Sequence, residues 1–238
     1  MNSTIASITF RSMLGRKRAL LLLGLPLLLL GLAFALRATG NNDLDVSSHM
    51  LHHAGLATLL PLLALIAGTG VIGPEIDDGQ IMYVLTKPIP RHVIVLTKLV
   101  VAIVLVTVFA VVPTLLAGLV LIGTTADMTA AFTVGLLVGG IAYSAVFVAL
   151  GVLSRNAVTI GLLYALVWET LLGNFAPGAR TVSVQQWALS VADALTGASQ
   201  VTSVVDLPVA VTLLAVVTVV AATLAVVQLR TLPVASAE

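Results

Sequence analysis

The sequence contains no cysteine, and this absence excludes disulfide bonds, thiolate metal ligands and cysteine nucleophiles. Charged residues are also scarce, at 9% of the chain, whereas soluble domains carry roughly a quarter. Aromatic residues make up only 5%, which disfavours a transmembrane β-barrel with its aromatic girdles. The formal net charge is +1, and no basic run is long enough to bind a nucleic acid. The chain as a whole is 59% hydrophobic, with a mean hydropathy of +1.15, and this composition predicts an all-α integral membrane protein.

The apolar residues are grouped in long runs. A hydrocarbon core about 30 Å thick requires about 20 apolar residues in a helix. On that basis we predict six transmembrane helices, at residues 19–36, 51–73, 93–121, 129–153, 157–172 and 207–229. The third run is longer than a bilayer requires. We therefore expect its start, around Lys98, to project into water and Pro113 to kink its membrane-embedded part.

The basic residues set the orientation of these helices. An even number of spans places both termini on one side, which would hold nine of the eleven lysines and arginines; the other side would hold only Arg37 and Arg180. Because positive charge concentrates in cytoplasmic loops, both termini are expected to be cytoplasmic. Residues 1–18 place apolar side chains such as Ile5 and Ile8 at loose helical spacing before a basic end. This pattern predicts an amphipathic helix on the inner membrane surface.

The sequence contains no phosphate-binding loop. That loop requires a lysine directly after a glycine, whereas Lys17, Lys87 and Lys98 each follow an arginine or a threonine. A Gly-x-Ser-x-Gly elbow and a carboxylate pair inside the membrane are absent from the sequence as well. We therefore expect no enzymatic activity and no cofactor in this chain, and any nucleotide hydrolysis would belong to a partner.

Three histidines are the candidates for a metal site. His49, His52 and His53 have the spacing i, i+3 and i+4, which places them on one face of a helix. Imidazoles arranged in this way can bind a transition metal. However, the sequence has no HExxH motif and no carboxylate in the same turn. The simpler interpretation is a cluster at the membrane interface, so we predict no metal here.

Glu169 lies about 13 residues into the fifth predicted span, about 20 Å along the helix and in the outer third of the membrane. Ionisable residues at such depth usually face a bundle interior or a wet cavity, which would place Glu169, together with Pro113, at a gate or cargo route. Alternatively, the helix ends just beyond Glu169, which then reaches the surface beside Trp168. Residues 174–206 follow. They are expected to form a short amphipathic helix carrying Trp187, re-entrant or interfacial in the outer leaflet.

Residues 74–92, PEIDDGQIMYVLTKPIPRH, form the most polar stretch between two predicted spans. The acids at the start of this stretch favour a helix N-terminus, and a proline lies at each end of the predicted helix. Apolar residues at helical spacing lie between the two prolines. We predict a short cytoplasmic helix whose exposed apolar stripe fits a protein groove better than anionic lipid, which would repel the acids. The residues expected to couple it to a partner are Glu75, Asp77, Asp78, Gly79, Ile81, Val84, Leu85, Lys87 and Arg91.

The longer run EIDDGQIMYVLTKPIPRHVIVLTKL resembles the signature of the type-2 ABC exporter permeases, the membrane-spanning subunits of ABC transporters. That signature combines an acid, a glycine, an apolar helix, a Pro-Ile-x-Arg turn and a lysine in the next span. The matching residues are Glu75, Asp78, Gly79, Pro88, Ile89, Arg91 and Lys98. Residues 151–195 also resemble the second half of such permeases.

The resemblance implies that residues 74–92 form a coupling helix that docks on an ATPase subunit, which binds ATP and Mg. It further implies that the N-terminal helix packs nearby and that two permeases, identical or related, join two ATPases. The chain would then be part of an exporter in a bacterial inner membrane that moves cargo by alternating access. An alternative of another class is a non-transporting membrane scaffold or assembly factor whose cytoplasmic helix only recruits a protein.

Overall fold

The structure is a computed structural model, and it describes residues 3–40, 43–73, 75, 90–122, 126–172, 181–196 and 201–231. Within these ranges all regular structure is helical, which confirms the predicted all-α class. In chain order the helices are α1 (Ser3–Met13), α2 (Arg16–Ala38), α3 (Leu44–Gly70), α4 (Arg91–Ile122), α5 (Ala126–Leu153), α6 (Ala157–Leu163 continued by Tyr164–Leu172), α7 (Val184–Thr196) and α8 (Leu207–Thr231).

Five of the described helices are long and apolar enough to cross a membrane, namely α2, α3, α4, α5 and α8. The chain is therefore a multi-pass membrane protein. The fifth predicted span, 157–172, corresponds to α6, whose apolar part Ala157–Glu169 is shorter than the about 20 residues that a span needs. The six-span layout stays a prediction.

Segments of π-helix interrupt three of the helices, at Leu51–Leu59 in α3, Thr107–Val111 in α4 and Tyr164–Leu172 in α6. In α3 and α4 the π segment ends two residues before a proline, Pro61 and Pro113 respectively. Because proline has no N–H, the carbonyl four residues earlier loses its usual partner. A widened turn is one way in which membrane helices accommodate this loss. Both helices continue beyond their proline.

The central helix is α5, which packs against α3, α7 and α8. Its contact with α7 depends on two glycines. A Cβ at Gly135 would lie 2.7 Å from the Ala188 carbonyl oxygen, and one at Gly139 would lie 2.8 Å from the Ala188 Cβ. Small residues of this kind let membrane helices approach closely. The two glycines thus fix α7 against the middle of the bundle.

The amphipathic helix α1 lies against α4. Thr9 and Met13 are buried on the side facing the bundle, whereas Ile8 is 62% exposed and Phe10 is 38% exposed. An exposed apolar side suits the predicted position at a membrane surface, where such side chains enter the lipid boundary.

The long helices alternate in direction and so define two ends of the molecule. Arg37, near the end of α2, donates to the carbonyl of Leu121 at the end of α4, at 3.4 Å. The opposite end holds the start of α4, and we call it the Lys98 end; the end with Arg37 is called the Glu169 end. The basic side chains described at the Lys98 end include Arg11, Arg91, Lys98, Arg155 and Arg230.

Candidate functional site

Lys98 is buried, with 1% of its surface exposed, so the expectation that it projects into water is wrong. Three oxygens surround its ammonium group. The Nζ atom donates to Glu75 Oε1 at 2.6 Å and to the carbonyl oxygen of Val71 at 2.5 Å. The hydroxyl of Thr9 lies 3.5 Å away. An ammonium group has three donors, and each of these oxygens can accept one of them, which compensates for the loss of water.

The buried lysine connects three parts of the chain to α4. Thr9 belongs to α1, Val71 follows the last turn of α3, and Glu75 opens the segment that leads to α4. The Glu75 side chain is 22% exposed, and its second oxygen, Oε2, is buried without a hydrogen-bond partner in the described part of the chain. Removing one partner of such a pair would strand a charge in a medium that solvates it poorly. The pair therefore holds Glu75 against α4.

Arg91 is the first residue of α4 and contacts the end of α8. Its Nη1 atom donates to the carbonyl oxygens of Leu229 at 2.8 Å and of Arg230 at 2.6 Å. Carbonyls in the last turn of a helix have no intrahelical donors and carry the negative end of the helix dipole. Arg91 thus caps α8 and ties it to the start of α4.

Seven of the nine predicted coupling residues lie outside the described residues. They are Asp77, Asp78, Gly79, Ile81, Val84, Leu85 and Lys87. Of the predicted set, the structure describes Glu75 and Arg91, one on each side of the segment. Each of them is bonded to the helix bundle, Glu75 through α4 and Arg91 through α8. The two described residues that flank positions 76–89 are therefore each fixed to the bundle.

Glu169 is fully buried, which rules out the interpretation that it reaches the surface. Its carboxylate accepts hydrogen bonds from four donors. Oε1 accepts from the Tyr164 hydroxyl at 2.8 Å and from the Val184 N–H at 3.2 Å. Oε2 accepts from the Gln185 N–H at 3.4 Å and from the Ser183 hydroxyl.

These bonds show that Glu169 caps α7. The first N–H groups of a helix have no intrahelical acceptors, and they carry the positive end of the dipole. Ser183 adds a local cap, because its hydroxyl accepts from the Gln186 N–H at 3.3 Å. The Ser-x-x-Gln spacing could have indicated from the sequence that α7 begins here. The involvement of Glu169 could not be anticipated, since it comes from another helix.

Helix α7, which was expected to be re-entrant or interfacial, is packed within the bundle. Residues 184–192 of α7 are all buried, and the Nε1 atom of Trp187 donates to the Thr181 carbonyl at 2.9 Å. Pro113 is buried in α4, beside Thr114, which touches α3 at Gly55. The hydrogen bonds of Glu169 do not involve Pro113. A gate or cargo route at these residues stays a prediction.

The three histidines line a cavity of about 220 Å³ at the Glu169 end. The rings of His49 and His53 stack at 5.8 Å, and those of His52 and His53 at 4.6 Å. The Nε2 atom of His52 lies 3.2 Å from Nε2 of Gln185 in α7. Among the described residues, no group of three or more His, Cys, Asp or Glu side chains has the arrangement of a metal site.

Comparison with known proteins agrees with the resemblance seen in the sequence. Residues 14–176, more than half of the chain, match the family described as ABC-2 family transporter protein. No curated protein matches the chain. The matched region contains Glu75, Arg91, Lys98 and Glu169, and it ends before α7. The chain therefore belongs to the ABC-2 family of transporter proteins.

Proposed function

We propose that the chain is the permease subunit of an ABC exporter and that a separate ATPase subunit drives it through residues 75–91. The observation that carries this proposal is the ion pair between Lys98 and Glu75. It fixes the beginning of the segment to α4, at a 2.6 Å separation of Nζ and Oε1. A force applied to the segment would therefore move a membrane span instead of being absorbed by a loose loop.

The bonds at the Lys98 end suggest which helices move together. Closure of two ATPases around ATP would displace the segment, and α4 would tilt with it. Arg91 would pass the motion to the end of α8, and Thr9 would pass it to α1. Within α4, the π segment before Pro113 offers a place where the helix can bend. Such tilting in two permease chains, identical or related, would open their shared cargo route alternately to the two sides.

The distribution of charge supports a cytoplasmic Lys98 end. The described basic side chains cluster there, and Arg16, Lys17 and Arg18 precede the apolar part of α2, Ala19–Ala38. Positive residues near span ends favour the cytoplasmic side, which would place both termini in the cytoplasm of a bacterium and the chain in its inner membrane. ATP and Mg would be bound by the ATPase, because this sequence has no phosphate-binding loop.

Co-purification tests the ATPase partnership. The tagged chain would be isolated from its native membranes in mild detergent, and ATP hydrolysis by the co-purified protein would be measured. We expect activity with the wild type and none with Asp77→Arg combined with Asp78→Arg, a variant that leaves Glu75 and Lys98 intact. The matched control is Asp45→Arg with Asp127→Arg, which reverses two exposed acids at the other end. If Asp77→Arg with Asp78→Arg retained full activity, docking at this segment would be refuted.

Cross-linking distinguishes a transporter from a scaffold. Because the chain has no cysteine, Leu163→Cys would introduce a single thiol on α6, where this side chain is 59% exposed. The yield of linked permease chains would be measured in the ATPase complex with ADP alone and with ADP and vanadate. A transporter should show a yield that depends on the trapped nucleotide. A scaffold would bind the ATPase and show the same yield in both states.

A further inference from the structure

A lateral groove lies at the Lys98 end between α2, α3 and α6. Its volume is about 420 Å³, within the range of about 300–1,000 Å³ that is usual for small-molecule sites. The walls are mainly apolar and include Leu21, Leu25, Leu65, Ile66, Val158 and Leu162. The groove opens towards the surrounding lipid, because Leu21 is 56% exposed and Val158 is 55% exposed.

The end of this groove carries one positive charge. Arg155 lies in the turn between α5 and α6 and lines the groove together with Ser154 and Gly73. Its side chain is exposed, and it has no ion pair or hydrogen bond with any residue in the described ranges. In sequence, Arg16, Lys17 and Arg18 precede Leu21 at the same end, and the described lining contains no carboxylate. The groove thus combines an apolar floor with a basic mouth at the level where a membrane span ends.

We propose that this groove binds one anionic phospholipid, with an acyl chain along the apolar floor and the phosphate at Arg155. A guanidinium group pairs well with phosphate oxygens, and basic residues near a membrane surface attract anionic headgroups. There is room for the chain at Gly73, because a Cβ built there would have no atom within 4 Å. A second copy of the protein docked groove to groove fits less well, since it would bring two Arg155 side chains together without an acid between them.

Native mass spectrometry of the purified chain tests the proposal, with dioleoylphosphatidylglycerol and dioleoylphosphatidylcholine as probes. The wild type should retain phosphatidylglycerol in preference to phosphatidylcholine. Arg155→Gln should lower the phosphatidylglycerol affinity about fivefold, the loss expected for one basic residue near a lipid surface. The matched control is Arg230→Gln, which removes an exposed arginine at the same end but outside the groove. Equal retention of both lipids by the wild type, or unchanged affinity in Arg155→Gln, would overturn the proposal.

A second pair of variants tests the apolar floor. Gly73→Leu should fill the groove and reduce the binding of phosphatidylglycerol, whereas Gly31→Leu should not, because Gly31 also faces open space but lies on α2 outside the groove. Val158→Cys tests whether a second copy of the protein occupies the groove instead of a lipid. If this variant formed a complete disulfide-linked dimer in membranes while bound phosphatidylglycerol stayed at the wild-type level, the lipid would be binding elsewhere and the proposal would fail.

Discussion

Replacing Glu75 by glutamine tests whether the buried ion pair holds the coupling segment. The Glu75→Gln side chain keeps its shape and an acceptor for Lys98 but loses its negative charge. Lys98 then pairs with a neutral acceptor. Hydrogen bonds to charged groups contribute about 1.5–3 kcal/mol, and removing one of the two charges should make unfolding easier by up to about that amount. Lys98 still has the Val71 carbonyl and the Thr9 hydroxyl. Glu75→Ala should cost more, about 3–5 kcal/mol, because it removes a partner without replacing it.

The double variant of Glu75→Gln and Lys98→Met separates the stability of the fold from the coupling to the ATPase. Lys98→Met replaces the buried ammonium group by an apolar chain that can fill the same space. Combined with Glu75→Gln, it leaves no buried charge, and such replacements are often neutral or stabilising. We therefore expect the double variant to unfold near the wild-type midpoint, although Glu75→Gln alone does not. Lys98→Met alone completes the double-mutant cycle. The coupling energy of the pair is the summed cost of the two single variants minus the cost of the double variant, and it is expected to reach about 1.5–3 kcal/mol.

Unfolding would be followed by the fluorescence of Trp168 and Trp187 during titration with sodium dodecyl sulfate, with Asp127→Asn as the control at an exposed acid. Function would be read from the nucleotide-dependent cross-link at Leu163→Cys, made in the same backgrounds. The stable double variant should lose this dependence because Glu75 is no longer held on α4. A coupling energy below about 0.5 kcal/mol would refute the energetic argument. A double variant with a normal nucleotide-dependent cross-link would refute the mechanical one.

Three further predictions concern contacts elsewhere in the bundle. Glu169→Gln should destabilise α7 by about 1–3 kcal/mol for each donor left unpaired. We expect proteolysis between α6 and α7 to become faster in this variant and to keep its wild-type rate in the control Asp127→Asn, which changes an exposed acid. Gly139→Leu should disrupt the contact of α5 with α7 and lower the unfolding midpoint, with an overpacking cost of about 1–3 kcal/mol, while Gly31→Leu should be neutral. Arg91→Gln should speed amide hydrogen exchange in the last turn of α8, and Arg91→Lys should restore part of the protection; equal exchange in all three proteins would contradict the capping role.

The sequence predicted the class of the protein and its long helices well. The third span was predicted at 93–121, and the structure places α4 at Arg91–Ile122. The fourth was predicted at 129–153, and the structure places α5 at Ala126–Leu153. These predictions succeed because the length and apolarity of a span are local properties that follow from bilayer thickness. The family resemblance was also readable, since its residues lie in one continuous run.

The polar centres were decided by the tertiary structure. Lys98 looked like a residue at a wet helix end, yet it is buried because Glu75, Val71 and Thr9 converge on it from positions 23, 27 and 89 residues away. Glu169 was a lone acid in an apolar run, and its role became definite only when α7 presented its N-terminus to the carboxylate. A buried charge is stable only where folding supplies its partners, and that supply depends on how helices pack. The sequence alone determined that this chain is a helical membrane protein. The packing of the helices decided which charges are buried and which elements each buried charge connects.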